Sequence, residues 1–212
     1  MLQNNPEMRA VPRDASAPER ADIALAVHFG KHRRHPAMKV VAAVSELGDQ
    51  PPLLLLSSAA LAYGFWSGDV RATIAGGRMT ASVLLATGIK QGLKRLFART
   101  RPHVFMDGGG YELRTGGPNK GPWQSFPSGH TAGSVAAARA LARSVPEAKI
   151  PAYAVAGAIA LAQVPRGAHY PSDVAAGLVI GLAAEALVEQ VAEAWSGRES
   201  PESRLSRTRP FR

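Results

Sequence analysis

An all-α helical bundle is the architecture that this chain of 212 residues predicts. Strand-like alternation of apolar and polar residues is nearly absent, and Ala, Leu, Val and Gly fill long uninterrupted runs. One domain is expected, since the length allows a sizeable core but not two comfortable ones. There is no cysteine, which excludes disulfides, thiolate metal sites and a cysteine nucleophile. No internal repeat is visible.

Along the chain, residues 1–20 are polar with both charge signs and are expected to form a disordered tail. They lack a basic start followed by an apolar run, which reads against a secretory signal. Residues 21–195 are expected to form the helical domain. Within it, 21–47 is too interrupted by His28, Lys31 and Lys39 to cross a membrane. The run from Gln50 to Gly68 carries no charge for 19 positions and ends in Tyr63, Phe65 and Trp66, as an interfacial aromatic belt would. It is the best candidate span. The runs 72–89 (interrupted by Arg78), 131–145 (Arg139, Arg143), 150–165 and 174–184 (ending before Glu185) read as further helices. Hydropathy alone leaves them open between membrane spans and buried helices. Residues 102–126, with "DGGGYELRTGGPNKGPW", read as a long irregular loop whose glycines allow mobility. Residues 196–212 are expected to be a disordered basic tail.

The net charge is +9 and the sequence pI about 10.5, so a negatively charged partner is expected: nucleic acid, anionic headgroups or a phosphate-bearing substrate. The cations cluster at Lys31 to Lys39, at Lys90 to Arg101, and from Arg198 to the C-terminus.

Three stretches carry chemistry. In "KRLFARTRP", Lys94 and Arg101 lie seven positions apart, two helical turns, so both can share one face at a helix end and suit an oxyanion. In "SFPSGHTAGS", Ser128 reads as an N-cap and Gly129 as a point of close backbone approach, so the helix start is a natural phosphate site with His130 in its first turn. In "QVPRGAHYPSD", Pro171 fits the first position of a helix, and Asp173 can accept from one ring nitrogen of His169, leaving the other free to attack. Each stretch alone is more often capping or a solvated face. In an up-and-down bundle, however, all three loops fall at the same end, within reach of one pocket.

In this order and spacing the stretches resemble the type-2 phosphatidic acid phosphatase superfamily, whose pattern is Lys, six residues, Arg-Pro; then Pro-Ser-Gly-His; then Ser-Arg, five residues, His, three residues, Asp. Here these read as Lys94 with Arg101 and Pro102, Pro127 to His130, and His169 with Asp173, over about 80 residues. The resemblance implies that His169 is a nucleophile forming a phosphohistidine and that Asp173 holds its ring. It further implies that His130 protonates the leaving group and that Lys94, Arg101, Ser128 and the Gly129 N–H hold the phosphoryl oxygens. A nest of cations and helix N–H groups can stabilise phosphoryl transfer without a metal, and neither a metal site nor a cofactor is expected.

The third motif departs from the pattern. Gln163 stands where the family has Arg, and Ala162 where it has Ser. Gln brings no charge and no guanidinium fork. Arg166, about one helical turn later, is a candidate replacement for the missing cation, so both Gln163 and Arg166 are counted among candidate phosphate-binding residues. The resemblance further implies a lipid phosphate or diphosphate substrate (phosphatidic acid, phosphatidylglycerol phosphate or a polyprenyl diphosphate) and a membrane partner rather than nucleic acid. About five embedded helices in a bacterial inner membrane are expected, with the site at the outer face. A soluble acid phosphatase, and a non-catalytic binder of phosphate or anionic membranes, are the alternatives. Oligomeric state is not read.

Overall fold

A computed structural model describes residues 15–117 and 120–197. The described residues form eight α-helices: α1 (Ala17–Gly30), α2 (Pro36–Ser45), α3 (Gln50–Ser67), α4 (Val70–Leu96), α5 (Pro102–Met106), α6 (Gly129–Ser144), α7 (Lys149–Ala162) and α8 (Pro171–Gly197). Strands β1 (Phe97–Arg99) and β2 (Leu113–Thr115) pair antiparallel, Phe97 opposite Thr115.

Local chemistry sets the helix ends. Ser16 and Glu19 form a capping box at the start of α1. α2, α5 and α8 each open on a proline, where a missing N–H costs nothing. Gly68 closes α3 at φ 73°, and Asp69 accepts from the Ala72 N–H at 3.1 Å to start α4.

α6 is the axis of the bundle: Thr131 to Ala138 are buried without interruption, so α6 meets neighbours on every side. α3, α4, α7 and α8 pack around it. Small residues permit the approach. On α8, Gly177 and Gly181 lie against the carbonyls of Ser128 and Ala132, where a Cβ would come within 2.6 Å of each oxygen. This Gly-x-x-x-Gly pair brings two backbones together without large side chains between them. At the end of the bundle away from the prolines of α5 and α8, charges are paired between helices. Glu185 of α8 accepts from Arg139 and, at 2.7 Å, from Arg143, and Glu189 sits 3.2 Å from Arg78.

The all-α expectation holds, with four local corrections. The stretch 102–126 is organised by α5, by β2 and by a turn of 3₁₀ helix at Gly121–Trp123, because β1 supplies a strand for β2 to pair with. β1 also separates Lys94 from Arg101, so these two do not share a helix face: α4 ends at Leu96. Of the expected N-terminal tail, Ala17–Arg20 are the first turn of α1, held by the capping box; residues 1–14 lie outside the described residues. Of the expected C-terminal tail, Ser196 and Gly197 close α8 and the rest lies outside them.

By length and composition, one helix among the described residues is long and apolar enough to cross a membrane: Pro171–Ser196 of α8. The favoured run 50–68 is long enough but is diluted by Gln50, Pro51, Pro52 and its serines. The reading of α8 as a short charge-free run of 174–184 missed that Glu185 and Glu189 are neutralised by arginines across the bundle.

A side chain at Gly181 must displace the α6 backbone. Gly181→Leu is expected to cost on the order of 1–3 kcal/mol, read as a lower thermal midpoint in detergent, with Gly181→Ala intermediate.

Candidate active site

The candidate site is built where β1, the start of α6, the loop after α7 and the start of α8 converge. The loop 163–170 is held from both sides. The Gln163 carbonyl accepts the N–H groups of Ala168 and His169, and His103 of α5 donates its N–H to the Gly167 carbonyl at 2.9 Å. Gly167 adopts φ 69°, a left-handed conformation that a side chain rarely takes, with Met106, Arg33 and His103 crowded around its α-carbon. The turn delivers His169 into the interior, 1% exposed.

The ring of His169 is oriented differently from the expectation. Its Nδ1 lies 2.6 Å from the Ser125 carbonyl and 3.8 Å from the nearer Asp173 oxygen. The first is a hydrogen bond and the second is too long for one. A carbonyl only accepts, so Nδ1 carries the proton and Nε2 keeps its lone pair. Asp173 is instead committed to its surroundings: it accepts from Ser125 Oγ at 2.5 Å, from the Tyr170 N–H at 2.9 Å and from Arg99 at 2.7 Å. It fixes the ring indirectly, by holding Ser125.

Arg99, 4% exposed, is the residue that motif spacing overlooked. It donates to Asp173 with one terminal nitrogen and to Asp22 of α1 with the other, each at 2.7 Å, and lies 4.0 Å over the Tyr170 ring. Asp22 in turn accepts the Ser172 N–H at 2.9 Å.

The first-motif cations turn toward the loop before α6. Lys94 Nζ donates to the Gln124 carbonyl at 3.0 Å and Arg101 Nε to that of Gly121 at 2.9 Å. Lys90 joins them, passing so close to Gly129 that a Cβ there would lie 2.7 Å from its Cδ. Glycine is therefore required beside the helix start by the lysine that passes it. A polar cavity of about 350 Å³ is lined by Lys90, Gln91, Lys94, Arg95 and Gln124. A cavity of about 760 Å³ lies on the far side of Arg99 among Leu25, Leu93, Phe97 and Phe126, and His169 does not line it.

Ser128 caps α6: its Oγ accepts from the Thr131 N–H, and its N–H donates to the Asp173 carbonyl at 3.0 Å. That bond clamps the second motif to the third. His130 Nε2 lies 3.4 Å from a Glu46 oxygen, and Glu46 also accepts from Arg166 at 2.5 Å. Glu46, in the turn between α2 and α3, had no signal in the sequence. Burial pushes its carboxyl up, but the Arg166 hydrogen bond and the His130 and Arg166 charges outweigh burial and hold it below its ordinary range.

Gln163 does not join the group. It is fully buried, its amide nitrogen donates to the Ile159 carbonyl of its own helix at 2.7 Å, and it underpins the loop rather than facing the cations. Arg166, held by Ser45 and Glu46, lies close enough for its charge to act on Arg101 and His130; Lys94, Arg101 and Asp173 act on His169 electrostatically, and Glu46 acts on Arg101.

Among the described residues, eight helices with a buried histidine, an arginine-clamped carboxylate and a group of cations at one end define a helical bundle with a cationic candidate site. A profile of the PAP2 superfamily matches residues 75–195, more than half of the chain, and the chain belongs to that superfamily. Lipid A 1-phosphatase of Rhizobium etli is 39% identical over 89 residues, 42% of this chain and 38% of that protein. The same-named protein of Rhizobium johnstonii is 40% identical over 91 residues, 42% of this chain and 36% of the relative. The match thus spans under two fifths of those relatives. The fold is similar to that of Aquifex aeolicus LpxE, with TM-score 0.62 and 22% identity, covering 85% of this chain and 99% of that one. It is also similar to the transmembrane PAP2-type phosphatidylglycerolphosphate phosphatase of Bacillus subtilis, with TM-score 0.56 and 21% identity over 85% and 89% of the two chains.

Two predictions follow from this geometry. Burial, then the Arg101 and Lys94 charges, push the His169 imidazole down to about 4 against Asp173, which opposes them. An NMR titration of ring-labelled protein, assigned with His169→Ala, should show a midpoint near that value. In the unfolded chain the ring titrates near 6.5, so the unfolded state takes up the proton first. Stability from this group is complete above pH 6.5 and is lost as pH falls through about 4. Separately, Arg99→Met strands Asp22 and Asp173, and a loss of about 3–5 kcal/mol is expected in chemical or thermal unfolding.

Proposed function

We propose that the chain is a metal-independent phosphohydrolase acting on a phosphate monoester or diphosphate of a membrane lipid, through a phosphohistidine on His169. The observation that carries the reading is the hydrogen bond from His169 Nδ1 to the Ser125 carbonyl, which leaves Nε2 unprotonated within the field of Lys94 and Arg101.

In the first step Nε2 attacks phosphorus, the P–Nε2 bond forms and the bond to the leaving oxygen breaks, with His130 giving its proton to that oxygen. In the second, water attacks phosphorus, passes its proton to His130, and the P–Nε2 bond breaks to release inorganic phosphate. Lys94, Arg101, Arg166 and the opening of α6 at Ser128 and Gly129 supply positive charge for the phosphoryl oxygens; Lys90 adds to it.

Membrane embedding is supported by the outer surface. Leu55, Leu56, Phe65 and Trp66 on α3, Ile150 and Leu161 on α7, and Val179, Val191 and Trp195 on α8 are all exposed, large apolar side chains on three helices of the bundle that an apolar surround would accommodate. The five helices of the bundle would sit in a bacterial inner membrane, with the site at the outer face where a headgroup phosphate enters. The similarity to lipid A 1-phosphatases makes the 1-phosphate of lipid A the first substrate to try, beside phosphatidic acid and polyprenyl diphosphate.

The test is phosphate release from these lipids in detergent micelles. His169→Ala should lower turnover on the order of a thousandfold or more; equal release by wild type and variant would mean binding without turnover. Arg166→Ala should lower activity, whereas Gln163→Arg, placed in a fully buried site, should not raise it. The opposite pair of results would remove Arg166 from the machinery. Recovery of the protein in the aqueous supernatant without detergent would favour a soluble acid phosphatase.

A further inference from the structure

Glu46 lies outside all three motifs, yet its carboxylate meets two groups the proposed chemistry needs. One oxygen accepts from Arg166 Nη2 at 2.5 Å and the other lies 3.4 Å from His130 Nε2. Ser45, the preceding residue, accepts from the other terminal nitrogen of Arg166. Two consecutive residues of the α2–α3 turn therefore fix one guanidinium, which still has donors to spare for a phosphate.

A carboxylate at the mouth of an anion site is otherwise a liability, since it repels the substrate. Pairing with Arg166 neutralises it and gives that arginine a fixed place. Gln163 contributes no charge to the third motif, so the cation that remains there must be drawn in from elsewhere in the loop. Burial disfavours the protonated His130 ring and outweighs the rest; Glu46 and Asp49 oppose that effect, Arg166 adds to it, and Lys90 of α4 stands against the neighbouring Gly129. The two carboxylates come from the turn that ends at the N-cap of α3.

We propose that Glu46 is a positioning residue of this site: it tethers Arg166 in place of the arginine that Gln163 replaces, and its carboxylate faces the His130 ring as the counter-charge for the form that delivers a proton to the leaving oxygen. This rests on the phosphohydrolase reading above. Glu46 acts through Arg166 and His130 and need not touch the substrate. Because Glu46 is half exposed, solvent weakens its pull on the ring, and the effect on proton uptake is moderate.

The variants separate the two duties. Glu46→Gln keeps an acceptor for Arg166 and deletes the charge; Glu46→Ala deletes both. With phosphatidic acid in nonionic micelles, Glu46→Gln is expected to lower kcat about tenfold. It should also move the basic limb of the kcat profile about one unit toward acid, as expected when an opposite charge is lost from a histidine. Inhibition by inorganic phosphate should stay nearly unchanged in Glu46→Gln and weaken severalfold in Glu46→Ala, and Glu46→Asp should restore the basic limb. A purely structural role would lower kcat without moving the limb, and an unmoved limb in both variants overturns the proposal. The NMR titration midpoint of His130 in the full chain gives a readout that needs no turnover. It should fall in Glu46→Gln, and an unchanged midpoint rejects the proposal even if His169→Ala shows that the wild type releases no phosphate.

Discussion

The Arg99 guanidinium, buried between Asp22 and Asp173, ties α1, β1 and α8 together at the catalytic end. A buried cation is tolerated only where opposite charges and hydrogen bonds replace its lost water, and here two carboxylates and the face of Tyr170 do so. The consequence reaches His169 in steps. Arg99 fixes Asp173, Asp173 holds the Ser125 hydroxyl, and the Ser125 carbonyl fixes the ring. The tautomer of the candidate nucleophile thus depends on an ion pair whose far partner sits at the other end of the sequence.

The bundle makes this arrangement possible by being narrow at α6. Alanines and glycines along α6 and α8 bring two backbones together, so the start of α6 can hydrogen-bond directly to the first turn of α8 through Ser128 and Asp173. Larger side chains at that seam would separate the second and third motifs by the width of a side-chain layer. Packing between helices and geometry within the site are therefore one constraint. The paired charges of Arg78, Arg139, Arg143, Glu185 and Glu189 serve the other end, where an apolar surround leaves unpaired charge costly.

The helices and the motif residues were legible in the sequence because both are local signals: unbroken apolar runs, and short motifs at helix ends. What escaped is what depends on distant partners. Arg99 sits inside the first motif and reads there as one more cation of a basic face. Its role appears only when Asp22 arrives from 77 positions away. Asp22 is joined to Ser172 over a separation of 150 positions, and nothing in its own neighbourhood marks it. Lys94 and Arg101 were placed on one helix by counting turns, whereas β1 intervenes because β2 offers it a partner, a pairing that a three-residue strand does not announce. The His169–Asp173 pair had the right spacing and the wrong bond, since a backbone carbonyl from another loop competes for the same nitrogen.

Gln163 shows why a departure from a motif need not be a defect at the site itself. An arginine at that position would bring a charge into a fully buried place, next to a carbonyl that must receive two N–H groups to form the loop. Glutamine fills the same place without charge and satisfies the Ile159 carbonyl. The loop then keeps its shape while the cation moves three positions along the chain, to Arg166, where the α2–α3 turn can hold it. On the proposed reading a guanidinium is needed near the phosphate, but its attachment point is free to move if another element supplies the counter-charge that fixes it. In this chain Ser45 and Glu46 make those contacts to Arg166, and under the proposal the third motif is completed by a segment that precedes the first.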